Sequence, residues 1–332
     1  MRIILFSSKP YDQQSFNAAG FPDDWQLSFQ EAHLRQASAG LAAGCEVVCA
    51  FINDDLSAAV LQQLAAGGTR LIALRSAGYN HVDLHAAHAL GLTVVRVPAY
   101  SPHAVAEHAL ALIMTLNRRT HRAFNRTREG DFSLHGLIGF DLHDKYVGII
   151  GAGQIGLTFA RIMAGFGCRL LIHDPAAVID DLHSLGAQQV TLDELIQHSD
   201  IISLHCPLNT ATHHLINAER LQQMQRGVML INTGRGALID TPALIGALKS
   251  GQLGYLGLDV YEEEAELFFE DCSEQPLQDD VLARLLSFPN VLITAHQGFL
   301  THEALAAIAG TSRDNIAAWL ANAPINQLLP AA

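Results

Sequence analysis

Three side chains in the second half of the chain combine into a recognisable chemistry: Arg235, Glu264 and His296. A guanidinium holds a carboxylate through two parallel hydrogen bonds and polarises a carbonyl beside it. An imidazolium gives a proton to a carbonyl oxygen, and a neighbouring carboxylate orients the ring and favours its charged form. Each type has commoner uses: arginine as a surface charge, Glu264 within the acidic run Glu262–Glu264, and His296 as one of 17 histidines. What singles them out is that each follows a strand-like apolar run. Upstream, Gly151-Ala152-Gly153-Gln154-Ile155-Gly156 follows another such run and opens a helical pattern. Its glycines permit a tight turn, backbone approach to a pyrophosphate and close helix–strand packing, and the helix start offers free N–H groups. Asp174 stands about 20 residues further on, where a carboxylate accepts bonds from ribose hydroxyls. An acidic residue there repels a 2′-phosphate, and Ala176 and Ala177 supply no arginine to receive one. The expected cofactor is therefore NAD.

These groups need an open parallel sheet, in which ligands lie beyond the carboxyl ends of the strands. Strand patterns run over Val147–Ile150, Leu170–His173, Ile201–Leu204, Val228–Ile231, Tyr255–Val260 and Val291–Thr294, six in all. Arg235, Glu264 and His296 follow the last three. An earlier set covers Ile3–Phe6, Leu27–Phe29, Val47–Ile52, Leu71–Arg75 and Val94–Val97, with helical patterns between most of them. Pro98 and Pro102 mark a break, after which a helix runs from Ser101 to about Arg119. Its apolar positions Val105, Leu110, Leu112, Ile113 and Leu116 suit packing between domains or against another subunit. From Phe299 the tail reads as helical and returning to the first domain. The expected fold is α/β, with two Rossmann-like or flavodoxin-like parallel-sheet domains. The NAD-binding domain (101–296) is inserted into the substrate domain (1–100 plus 297–332), with a cleft between them.

Composition narrows the class of partner. Of 332 residues, 33 are acidic and 20 basic, a formal charge of −13 that argues against nucleic acid. The N-terminal run is too short for a signal peptide, and no apolar stretch reaches membrane-span length. Five cysteines, odd in number and without metal-ligand spacing, read as reduced thiols in a cytoplasmic protein that has no metal site.

The glycine run, Ile231-Asn232-Thr233-Gly234-Arg235-Gly236-Ala237-Leu238-Ile239-Asp240, Gly257–Glu264 and Thr294–Thr301 resemble the signature stretches of the D-isomer-specific 2-hydroxyacid dehydrogenases. Val97-Pro98-Ala99-Tyr100-Ser101-Pro102, Leu116-Asn117-Arg118-Arg119 and Leu267-Phe268-Phe269-Glu270-Asp271 are similar to the fermentative D-lactate dehydrogenases of that family. The resemblance runs nearly end to end. It implies catalytic roles for Arg235, Glu264 and His296, Glu264 being the last of the three glutamates. It also implies that Asp259 contacts the nicotinamide end and that Cys206, Pro207, Thr233 and Gly234 line the cofactor. Ser76-Ala77-Gly78 looks like the family's amide cradle for the substrate carboxylate, although an ordinary strand-to-helix turn reads the same way. Gly234 stands where many relatives have serine.

The D-handedness of the reaction also comes from the resemblance. The long chain ahead of the glycine run separately argues against an L-lactate dehydrogenase fold. The implied reaction is NADH-dependent reduction of a small 2-oxo acid, pyruvate foremost, to the 2-hydroxy acid. Tyr100 and Phe299 are candidates for narrowing the pocket toward a methyl group, or else core residues. A bulkier 2-oxo acid such as phenylpyruvate is the nearest alternative. A non-catalytic NAD-sensing interaction protein is a more distant one. The family is usually dimeric, so a homodimer or homotetramer is expected. The acidic segment from Glu262 to Asp280, with Phe268 and Phe269 inside it, reads as a lid or a subunit contact.

Overall fold

The computed structural model of the chain describes residues 1–176, 185–264 and 267–330. It divides into two compact units, Met1–Ser101 with Leu300–Ala332, and Pro102–Phe299. Ala177, invoked above for cofactor choice, lies outside the described residues, as do residues 265 and 266 of the acidic segment.

In the first unit, β1 (Arg2–Leu5), β2 (Gln26–Phe29), β3 (Val47–Ala50), β4 (Leu71–Leu74) and β5 (Thr93–Val95) form a parallel sheet of order β2-β1-β3-β4-β5. β3 and β4 are buried at every position. That is why they read as unbroken apolar runs rather than alternating ones. Ile4, Val48 and Ile72 pack on one face with Val60, Leu61 and Leu64 of the helix Ala58–Ala66. The terminal helix His302–Leu320 packs with the helix Pro10–Ala18. Arg75, just past β4, is almost wholly buried, and its guanidinium donates to Asp12 at 2.6 Å and to the Phe6 carbonyl at 2.5 Å.

The second unit has a seven-stranded parallel sheet among the described residues. Its strands are β6 (Tyr146–Ile150), β7 (Arg169–His173), β8 (Gln188–Gln189), β9 (Ile201–Leu204), β10 (Val228–Asn232), β11 (Leu253–Leu258) and β12 (Val291–Ile293). The order β12-β11-β10-β9-β6-β7-β8 reverses direction between β6 and β9. Six of the strands match the periodicity. The seventh, Gln188–Gln189, is an exposed polar pair on the sheet edge, with no apolar pattern to announce it. Successive residues alternate between two cores, Ile149 from Ile150, Ile201 from Ile202, and Met229 from Leu230. One core contains Phe159 and Met163 from the helix Gln154–Gly165, together with Leu112, Ile113 and Leu116 from the helix Pro102–Arg118. The apolar face of Pro102–Arg118 is therefore occupied by its own sheet. For Leu112, Ile113 and Leu116 the expectation of packing between domains or on another subunit is corrected. The helix stops at Arg118 because Arg119 turns left-handed (φ 50°) and starts a second helix, Thr120–Arg128.

The acidic segment is anchored at Phe268. Phe268 is buried in the second core, with Leu267 and Phe269 packed against it, and the Tyr261 hydroxyl donates to Asp279 at 2.7 Å.

Candidate functional site

Because all strands of the second sheet run the same way, their exits gather on one edge. The first exit is the glycine turn. Gly151 has φ +99°, and a β-carbon there would stand 2.5 Å from the Cys206 nitrogen. One at Gly156 would stand 1.9 Å from the Gly151 carbonyl oxygen. Glycine is thus required at both by backbone, as a dinucleotide turn demands. Gly153, by contrast, faces open space, and it opens the helix Gln154–Gly165 with no side-chain cap. The helix therefore presents Gln154 and Ile155 in a first turn able to receive a phosphate. Asp174 comes from the next strand exit, and its carboxylate accepts from Ala152 N at 2.6 Å and Ala176 N at 2.8 Å. These bonds join the carboxylate to the glycine turn, an arrangement able to hold a ribose beside a pyrophosphate.

The third exit carries His205, Cys206 and Pro207. Burial pushes the His205 imidazole down to about 4 and the Cys206 thiol up to about 11. Both are neutral at pH 7, so this wall is uncharged where it meets the turn. At the fourth exit the Asn232 side chain cages the loop, donating to the Arg235 carbonyl at 2.8 Å and accepting from Gly234 N at 3.0 Å. One Arg235 guanidinium nitrogen donates to the Gly234 carbonyl at 2.7 Å, and the fork's other N–H groups remain donors. A β-carbon at Gly234 would approach nothing closer than 3.4 Å, so the difference from serine-bearing relatives leaves the backbone path intact. Thr233 is buried and its hydroxyl has no hydrogen-bond partner. An orphaned buried hydroxyl in this loop fits a polar ligand such as the nicotinamide cofactor.

The fifth and sixth exits bring the acid–base pair together. Glu264 Oε1 and His296 Nδ1 lie 2.7 Å apart, each side chain 16% exposed. The other Glu264 oxygen accepts from Tyr261 N at 2.9 Å, which aims the carboxylate. His296 has φ 53°, a conformation few non-glycine residues adopt, and its N–H donates to the Asp259 carbonyl at 2.7 Å. The ring of Phe269 lies 5.6 Å from the imidazole, centre to centre.

Asp259 holds this loop. Its carboxylate accepts from the Thr294 hydroxyl (2.7 Å), Gln297 N (2.9 Å) and Gly298 N (2.8 Å), with His108 Nε2 at 3.2 Å. Burial would push the carboxyl up. The His108 hydrogen bond and charge, the Thr294 hydroxyl and the charge of His296 outweigh burial and leave the carboxyl below its usual range. These bonds keep Gln297 and Gly298 with the second unit, which runs to Phe299 rather than ending before residue 297. The part played by His108 was missed in the sequence. It sits mid-helix among apolar residues, and only folding sets its Nε2 2.9 Å from the Thr294 hydroxyl.

The remaining expected residues are placed separately. Phe299 is buried within the second unit. Ser76, Ala77, Gly78 and Tyr100 belong to the first unit. There the Ser76 hydroxyl donates to the Gly78 carbonyl at 2.7 Å and Arg96 donates to the Ala77 carbonyl at 2.7 Å, fixing the turn. All five cysteines are free thiols, and no described helix is long and apolar enough to cross a membrane.

The chain is similar to proteins of a known family. Residues 110–298 match the model of the D-isomer specific 2-hydroxyacid dehydrogenase, NAD binding domain. The chain is 51% identical over 318 residues to a 2-hydroxyacid dehydrogenase homolog of Haemophilus influenzae, covering 95% of each. It is 50% identical over 319 residues to the D-lactate dehydrogenase of Escherichia coli, covering 95% of this chain and 96% of that one. The solved structure of the pyruvate reductase of Chlamydomonas reinhardtii superposes with a TM-score of 0.92 at 45% identity, covering 98% of this chain and 97% of the other. The chain, with its NAD-binding domain, belongs to the D-isomer specific 2-hydroxyacid dehydrogenase family.

Proposed function

We propose that this protein is an NAD-dependent D-lactate dehydrogenase that reduces pyruvate to D-lactate. The observation that carries the reading is the Glu264–His296 contact at 2.7 Å, on the same sheet edge as Arg235 and the glycine turn. Relatives named for D-lactate and pyruvate chemistry at about half identity support it.

Bound NADH supplies the hydride; the chain's own residues do the rest. Arg235 receives the substrate carboxylate on its free N–H groups, which fixes the carbonyl carbon in place. His296 gives a proton to the carbonyl oxygen from Nε2, because Nδ1 is engaged by Glu264. Glu264 holds the ring in that orientation and stabilises its cationic form. Asp259 holds the backbone that carries His296, and a nicotinamide contact is a second role for it. Cys206, Pro207, Thr233 and Gly234 line the cofactor, with Asp174 on the ribose. Phe269 and Phe299 supply apolar surface suited to a methyl group.

The protein is a homo-oligomer in this reading. The support is four exposed large apolar side chains, Phe124 on the helix Thr120–Arg128 and Phe132, Leu134 and Ile138 on the loop after it, which Arg126 ties down through Asp131, Ser133 and His135. Free thiols agree with a cytoplasmic location. The test is NADH oxidation on adding pyruvate to purified protein, with chiral analysis of the lactate. D-lactate at rapid turnover is expected. Faster reduction of phenylpyruvate than of pyruvate would move the substrate to a bulkier 2-oxo acid. Tight NADH binding without turnover on either would refute the enzymatic reading.

A further inference from the structure

Behind the strand-end groups, two consecutive imidazoles meet a carboxylate. His213 and His214 stack with ring centres 4.0 Å apart and planes 27° from parallel. His214 Nε2 lies 2.7 Å from Glu262 Oε1, and the other Glu262 oxygen accepts from the Thr241 hydroxyl at 3.3 Å. One ligand atom from each of His213, His214 and Glu262 lies within 4.8 Å of the other two. Among the described residues no other group of three potential ligands is so placed.

We propose that His213, His214 and Glu262 form a zinc site with water as the fourth ligand. Two imidazoles and a carboxylate are a donor set that suits Zn²⁺ and not Mg²⁺ or Ca²⁺, which take oxygen. Zn–N bonds of about 2.0–2.1 Å set tetrahedral ligands roughly 3.3 Å apart. His214 and Glu262 are already closer than that, so the ion takes the place of the proton between them. His214 and Glu262 part by roughly 0.6 Å to admit it, and His213, which is exposed, swings inward. His214 is 34% exposed and Glu262 22%, which leaves a path for the ion and room for water.

The site ties together two loops of the second unit. His214 N donates to the Ala237 carbonyl at 2.8 Å, two residues past Arg235, and Glu262 precedes Glu264 by two. A bound ion therefore braces the exits that carry the arginine and the glutamate. Because zinc binds the folded chain, it also raises the unfolding temperature.

The experiment is a titration of the full-length protein with Zn²⁺ against a chromophoric chelator, beside thermal melts and zinc-edge X-ray absorption. One ion per chain is expected, with nitrogen and oxygen neighbours and a zinc-dependent rise in Tm. His213→Ala and Glu262→Gln should each weaken binding at least tenfold and remove that rise. His213→Ala touches no core contact, and Glu262→Gln keeps an acceptor for His214, so both variants fold. No binding at about 100 µM zinc, equal affinity in both variants, or sulfur neighbours from a cysteine site would each overturn the proposal. None of these readouts uses catalysis, so a failure here is separate from a failure of pyruvate turnover.

Discussion

Gly153 and Gly156 stand three residues apart in the same turn, yet alanine should do different things at each. At position 156 the new β-carbon would lie 1.9 Å from the Gly151 oxygen and 3.0 Å from its carbonyl carbon. To reach a tolerable contact, helix and strand must part by roughly 1.3 Å, and both partners are backbone. Overpacking of this kind costs about 2–3 kcal/mol, a fall in Tm of roughly 5–10 °C for a unit of this size. The shift also moves the helix N-terminus off its phosphate position, so NADH affinity falls with stability. At position 153 nothing lies within 4 Å of the new carbon, and φ is −68°. The apo protein should melt at the same temperature or a little higher, since alanine restricts the unfolded chain. There the methyl meets only the incoming pyrophosphate, and NADH binding should weaken about tenfold or more, 1.4 kcal/mol per decade. The assays are calorimetric melting of the apo protein and NADH fluorescence titration. If Gly153→Ala left NADH affinity unchanged, or Gly156→Ala left Tm unchanged, the placement of the cofactor on this turn would be wrong.

Three further outcomes follow from the same geometry. His296→Asn, chosen because asparagine tolerates a φ of 53°, should lower kcat about 10²–10⁴-fold while NADH affinity moves less than about threefold; a near-normal kcat would remove the proton-donor role. Asp174→Ala deprives Ala152 N of its 2.6 Å acceptor and the ribose of its own, so the ratio of kcat/KM for NADH over NADPH should fall at least tenfold, and an unchanged ratio would count against the ribose role. His205 stays neutral in the folded state down to about 4, whereas the unfolded chain takes up its proton near 6.5. Between those values the unfolded state binds more protons, so stability is complete above 6.5 and falls toward pH 4 by up to about 3 kcal/mol. Urea midpoints of the wild type and His205→Gln across that range should converge on acidification; parallel curves would refute the linkage.

Much of this protein could be read in one dimension. Strands buried on both faces must be continuous apolar runs, so β3, β4, β6, β9 and β10 were legible. Backbone crowding at Gly151 and Gly156 forces glycine, which made the turn a local signature. Parallel strands all end on one edge, so Arg235, Glu264 and His296 could be expected near one another before any distance was known. Other features depended on groups far apart in the chain. The polar pair Gln188–Gln189 is a strand only because β7 offers it an edge. The apolar stripe of Pro102–Arg118 has the same pattern whether it meets its own sheet, as it does, or another subunit. That Phe268 is buried in a core follows from the distant side chains it packs among, not from its neighbours in sequence. His108 reaches Asp259 and Thr294 across some 150 or more residues of chain, and hydrogen bonds between such partners have no period or spacing. Local sterics and strand direction made the strand-end chemistry readable from the sequence; the packing of helices and the hydrogen bonds that hold the His296 loop arose only when the chain closed on itself.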